Sequence, residues 1–265
     1  MEIWQAIIVG IVQGLAEFLP ISSSGHIVLT QFLLGMESEG ILFEVILHVG
    51  TLFSVVLYFW KKLWNMTQSL WTPSMKEERS WIWMLGLATV PAVILVLTPL
   101  GDLFEGVYDN PVIVSSLLLV TGALLLAPKV IKTKEKELTW KTALTMGIGQ
   151  AFAILPGISR SGSTITTGLL SGVEPKKAAD FAFLMSLPAI AGAVVKEREA
   201  FSELSQSDLL TPYILGSAAA FISGLLAIYL VMGAVKRGKL EYFAYYCFAA
   251  GILGMIYFSF INPIS

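Results

Sequence analysis

Charge is what this 265-residue chain has least of: 14% of its residues are Asp, Glu, Lys or Arg. A soluble domain carries about 25%. With 55% of residues hydrophobic and a mean hydropathy of +0.76, the chain has too little polar surface to cover a water-facing globule. That excludes an ordinary cytosolic enzyme and a disordered protein. Basic excess is also missing. A net charge of -2 sets up no field to recruit phosphate backbones, which excludes a nucleic-acid binder. The single Cys247 cannot form an intrachain disulfide. What remains is an all-α polytopic membrane protein, read as one integral membrane domain over 1–265.

Six apolar runs are long enough to cross a bilayer as helix: 41–60, 81–100, 111–128, 178–195, 211–235 and 242–261. None alternates polar and apolar positions as a barrel strand would. The apolar run at 3–16 is read as part of the fold and not as a signal peptide, because Glu2 stands where a basic n-region belongs. Four more apolar segments are too short to span: 3–19, 26–35, 142–155 and 164–173. They form two pairs, each interrupted by a Pro-, Ser- and Gly-rich turn, which predicts two re-entrant helical hairpins. With both termini outside, 14 of the 17 basic residues fall in inside loops, among them Lys61, Lys129, Lys132, Lys176 and Lys236. Only Lys196 and Arg198 fall outside, and the outer loop at 101–110 carries Asp102, Glu105 and Asp109 with no base. This bias matches the positive-inside rule for six crossings and two hairpins.

The two broken segments resemble each other. Gly10-Ile-Val-Gln13 precedes Leu19-Pro20-Ile-Ser22-Ser23-Ser24-Gly25-His26. Gly147-Ile-Gly-Gln150 precedes Leu155-Pro156-Gly-Ile-Ser159-Arg160-Ser161-Gly162-Ser163. Three crossings separate them, so the repeats, about 1–128 and about 140–262, are expected to be inverted. Their hairpin tips should meet, and inverted repeats of broken helices place a binding site where they do. The competing reading is a chance match of two Ser/Gly turns.

Each turn leads into a half-helix expected to start near His26 and near Thr164. Helix N-termini offer unpaired N–H groups and the positive end of the dipole, which suit phosphate. N-capping alone explains one hydroxyl per helix. It leaves the runs Ser22, Ser23, Ser24 and Ser159, Ser161, Ser163 unexplained. Arg160 is costly at membrane depth, and its planar fork suits phosphate oxygens. Its structural alternative is an ion pair with Glu17, Glu44 or Asp180. His26 could move protons or attack phosphorus, or simply cap a helix. Gln13 and Glu17 share a helix face, and Glu17 could hold a metal, orient His26 or act as base. Glu44 and His48 form a second i, i+4 pair, read equally as an interhelical contact or as part of the site. Together these residues make an anion cradle at membrane depth, suited to a phosphate head on a lipid tail.

Glu17-Phe-Leu-Pro-Ile-Ser-Ser-Ser-Gly-His26 and Leu155-Pro-Gly-Ile-Ser-Arg-Ser-Gly-Ser-Thr164 closely resemble the two signature motifs of the bacterial undecaprenyl-diphosphate phosphatases, or bacitracin-resistance proteins. The resemblance covers essentially the whole chain in length, order and hydropathy. It implies hydrolysis of undecaprenyl diphosphate to the monophosphate and inorganic phosphate, recycling the lipid carrier for peptidoglycan synthesis. It implies a multi-pass protein of the bacterial cytoplasmic (inner) membrane with a site open to the outer face. By motif, Glu17, Ser23, His26 and Arg160 would be catalytic. Gln13, Ser22, Ser24, Gly25, Ser159, Ser161, Gly162, Ser163 and Thr164 would bind the polyprenyl diphosphate. The resemblance also implies a divalent cation, Mg²⁺ or Ca²⁺, with Glu17 as its ligand. Family members often carry a second Glu where this chain has Gln13, which argues against a two-carboxylate mechanism here. The turns also echo type 2 phosphatidic acid phosphatases, but the second His of that pattern falls on Thr166, so the likeness is convergent. The rival class is a lipid-phosphate transporter, since inverted repeats with meeting hairpins are transporter architecture. Partners are membrane lipids, and small residues on the spans permit a homodimer.

Overall fold

The computed structural model describes residues 1–36, 40–98, 106–131, 134–196 and 209–261. The acidic stretch 101–105, Lys132 and Arg198, used above for topology, lie outside them. Among the described residues the chain is helical, with one isolated parallel bridge between Lys136 and Val173.

The first hairpin is α1 (Ile3–Phe18) and α2 (Ser23–Leu33). Pro20 ends α1, because it pushes the residue before it out of helical geometry: Leu19 sits at ψ 134°. α3 (Gly40–Tyr58) then bends by 77° into α4 (Trp60–Ser69). The sequence reading ends its first span at Trp60 and does not foresee α4. That short helix carries Lys61 and Lys62 beside the exposed Trp60 and Trp64, a composition that anchors a helix at a membrane interface. α5 (Lys76–Val96) and α6 (Pro111–Val130) complete the first half. Asn110 caps α6, accepting from the Val112 and Ile113 amides at 3.1 Å, and Pro111 fills its first position.

The second half begins with its own hairpin, α7 (Trp140–Phe152) and α8 (Arg160–Leu170). α9 (Pro175–Leu184) and α10 (Ser186–Lys196) follow as one broken span, then α11 (Leu210–Lys236) and α12 (Glu241–Ile256), which ends in a π-helical turn (Tyr257–Ile261). Five of these helical stretches are long and apolar enough to cross a membrane, and the bent pair α3–α4 makes a sixth. The polytopic all-α reading therefore holds, with five candidate crossings, or six if the bent pair is one span.

The two halves interlock. α1 lies along α11 of the other half, and α7 lies along α5. Close approach makes both contacts possible: a Cβ at Gly10 would lie 2.2 Å from the Gly216 carbonyl oxygen, and one at Gly147 would lie 2.3 Å from that of Ala88. Lipid tails are as apolar as leucine, so small residues and side-chain hydrogen bonds must hold such helices together. Ser54 donates to the Phe221 carbonyl at 2.8 Å, and Ser217 to that of Ile46 at 2.9 Å, joining α3 to α11. Between the hairpins and their neighbours sits a core of Phe18, Met146, Phe181, Phe183 and Met185. Large apolar side chains such as Leu97, Leu226 and Phe260 cover the outside, which suits a lipid solvent.

Candidate functional site

Both half-helices begin earlier than the sequence reading expects: α2 at Ser23 rather than near His26, and α8 at Arg160 rather than near Thr164. The cause is capping. Ser22 accepts from the Gly25 amide at 3.3 Å, and Ser159 accepts from the Gly162 amide at 3.0 Å. The serine runs and Arg160 therefore occupy first turns, where backbone N–H groups have no partner within the helix.

The two tips touch. Ser22 also accepts from the Gly157 amide at 3.0 Å, and Ser161 donates to the Leu19 carbonyl at 3.3 Å. Ser22 holds φ at 72° and Gly157 at 100°. Glycine adopts that region freely, whereas serine does so only when its surroundings impose it. There is no room for a side chain between the tips, since a Cβ at Gly25 would lie 3.0 Å from the Gly157 Cα. From α6, Thr121 donates to the Gly157 carbonyl at 2.7 Å and accepts from the Ser159 amide at 3.0 Å. Thr121 fixes the second tip, and no pattern in the sequence pointed to it.

Glu17, on the last turn of α1, gathers the charged chemistry. Its Oε1 ion-pairs with Arg160. Its Oε2 accepts from Ser23 at 2.6 Å and from the Gln13 amide at 3.1 Å, and lies 3.4 Å from His48 Nε2. The ion pair weighed as the structural alternative for Arg160 is thus present, and it lies inside the predicted cradle. Asp180 stands elsewhere, bonded to Lys62 and Lys176.

His26 does not reach Glu17. Its Nδ1 lies 2.8 Å from the Ser22 carbonyl and its Nε2 lies 2.8 Å from the Tyr246 hydroxyl on α12. A carbonyl only accepts, so Nδ1 carries a proton, while Nε2 shares a hydrogen bond with the Tyr246 hydroxyl, which can either donate or accept. The expectation that Glu17 orients His26 is therefore corrected: the backbone of its own tip does. Of the remaining named residues, Ser24 lies 3.5 Å from Ser22, and Ser159 lies 3.3 Å from Ser161. Thr164 turns back onto the Arg160 carbonyl at 2.8 Å. Ser163 is buried, and its hydroxyl has no hydrogen-bond partner. Tyr246 was not foreseen at the site, and His48 was weighed for it only as an equal alternative to an interhelical contact. The only signal for His48 was a polar i, i+4 pair on an otherwise apolar span.

This donor set bears directly on the implied divalent cation. Both Glu17 oxygens are engaged, two side chains that carry or accept a proton's positive charge flank them, and Gln13 offers no charge. Among the described residues no group of three His, Cys, Asp or Glu is arranged to hold a metal. The arrangement does not fit a cation held by the protein alone.

Comparison with known proteins adds an independent observation. Residues 6–253 match the family model described as bacitracin resistance protein BacA. An undecaprenyl-diphosphatase of Salinibacter ruber is 37% identical, covering 96% of this chain and 99% of the relative. Those of Halothermothrix orenii and Alkaliphilus metalliredigens are 39% and 41% identical, each covering 97% of this chain and at least 98% of the relative.

Proposed function

This chain belongs to the bacitracin resistance protein family, and we propose that it hydrolyses undecaprenyl diphosphate to undecaprenyl phosphate and inorganic phosphate. The observation that carries the reading is the meeting of two helix N-termini around Glu17, Ser23 and Arg160. The reaction moves negative charge onto phosphate oxygens, and that is what such a cradle stabilises.

In the free site Glu17 occupies Arg160 as a carboxylate stand-in for phosphate. The arriving terminal phosphate takes over the Arg160 guanidinium and lies against the first-turn amides of α2 and α8. Glu17, released from Arg160, accepts the Ser23 proton across their existing hydrogen bond. Ser23 Oγ bonds to the terminal phosphorus, the bridging P–O bond breaks, and undecaprenyl phosphate leaves with the electron pair. A water then attacks the phosphoserine and gives up a proton to His26 Nε2 once Tyr246 withdraws; the P–Oγ bond breaks, inorganic phosphate departs, and His26 releases its proton to solvent. Ser23 regains its proton from Glu17.

The protein is a multi-pass membrane protein. We place it in the bacterial inner membrane with both termini and the site toward the outer face, because the basic residues then collect inside.

The test is phosphate release from undecaprenyl diphosphate by purified protein in detergent, with Arg160→Ala and Ser23→Ala alongside. Loss on the order of 10²–10³-fold in Arg160→Ala is expected for a group that stabilises developing charge. An acid-stable phosphoserine that disappears in Ser23→Ala supports the covalent step; an acid-labile adduct on His26 transfers the nucleophile there. Folded wild-type protein that moves lipid phosphate across vesicles without releasing phosphate would overturn the enzyme reading.

A further inference from the structure

A buried carboxylate that gives up Arg160 to substrate needs another partner. Glu17 is 5% exposed. Leaving such a charge without a partner is strongly unfavourable in a buried site. Ser23 and Gln13 supply only neutral donors, and Ser23 loses its proton in the reaction proposed above. One group remains in place: His48, near the middle of α3.

Its ring is held at both ends. Nδ1 lies 2.7 Å from the Glu44 backbone carbonyl one turn earlier on α3, and Nε2 lies 3.4 Å from Glu17 Oε2. Neither oxygen can donate, a carbonyl and a carboxylate being acceptors only. Nδ1 therefore carries a proton toward the Glu44 carbonyl, and Nε2 is the edge of the ring turned to the Glu17 carboxylate. The local backbone aims it, since the Glu44 carbonyl belongs to the same helix and fixes the ring plane. α3 is fastened in turn by the Ser54 and Ser217 bonds to α11, and neither of those serines belongs to the hairpins.

We propose that His48 is the positioning residue that keeps Glu17 in place and aimed at Ser23 while Arg160 engages the diphosphate. The proposal rests on the phosphatase reading of the site. His48 does not touch substrate; it acts through Glu17. Its loss should therefore lower kcat and leave KM nearly unchanged, whereas loss of Arg160 should act on both.

The experiment compares wild-type protein, His48→Leu, His48→Phe, His48→Gln and Arg160→Ala in the phosphate-release assay, with thermal melts to confirm folding. His48→Leu and His48→Phe are expected to lose on the order of tenfold to a hundredfold in kcat, as a mis-set catalytic group does. His48→Gln, which keeps an N–H donor toward Glu17, should recover much of that loss. The second apolar variant covers the case in which the first does not fold. Full kcat in a folded His48→Leu or His48→Phe, with Arg160→Ala inactive, overturns this proposal and leaves the phosphatase reading standing. His48→Gln no better than the apolar variants also overturns it, because His48 would then serve packing alone. Normal activity in Arg160→Ala strikes the phosphatase reading itself.

Discussion

The two hairpins use one backbone device and divide the chemistry between them. In each, a first helix runs to a Pro-containing turn, a serine caps the second helix, and that second helix is 11 residues long. The first hairpin carries Glu17, Ser23 and His26. The second answers with Arg160 where the first has Ser23, and with Ser163 where the first has His26. The contrast extends to Gln13 and Gln150, which stand at matching places. Gln13 donates to Glu17. Four residues after Gln150 comes Ile154, and neither polar atom of the buried Gln150 side chain has a partner. The geometry of a phosphate cradle can therefore be duplicated while acid–base chemistry is kept on one copy. The second copy needs only a cation and helix dipoles.

Making the tips alike should have the largest effect. Arg160→Ser gives the second hairpin the residue of the first and should lower phosphate release on the order of 10²–10³-fold; Glu17→Gln should do the same from the other side. Packing should respond equally in both halves. Gly10→Ala and Gly147→Ala each force a methyl onto a facing carbonyl, and each should cost about 1–3 kcal/mol in a reversible unfolding titration. A loss in one and not the other would mean that the α1–α11 and α7–α5 contacts are not equivalent. The glutamines should split. Gln13→Leu removes a hydrogen bond to a charged group and should cost about 1.5–3 kcal/mol of stability or lower activity accordingly. Gln150→Leu removes an unpartnered amide and should leave melting temperature unchanged or higher. The smallest effect concerns the cation. Millimolar Mg²⁺ or Ca²⁺ without diphosphate should leave the melting temperature unmoved, because a ligand stabilises only a state that binds it.

Much of the site could be read from residues alone. Glu17, Ser23 and Arg160 stood out as polar groups in apolar or turn sequence, and folding brings them to one point. The half-helix starts were misplaced by three or four residues, because Ser22 and Ser159 cap and the later serines lie inside the first turns. His26 was rightly placed at a tip, but its partners Ser22 and Tyr246 were not foreseen. Tyr246 and Thr121 come from helices far away in the chain whose local pattern gives no hint of the site, and His48 showed only as half of a polar pair that suited an interhelical contact equally well.

Hydropathy, run length and the spacing of the two Ser/Gly turns determined the class of this protein and its two interrupted helices. These follow from local rules: a bilayer demands long apolar helices, and Pro with serine caps ends and restarts them. Only the tertiary structure decided which helices lie together, with α1 on α11, α7 on α5 and α3 beside the Glu17 carboxylate. In lipid all apolar faces are equivalent as solvent-facing surface, so helix pairing depends on where small residues let backbones approach and on which polar groups find partners. That contact pattern gives Glu17 both Arg160 and His48 as neighbours, and it exists only in the assembled bundle.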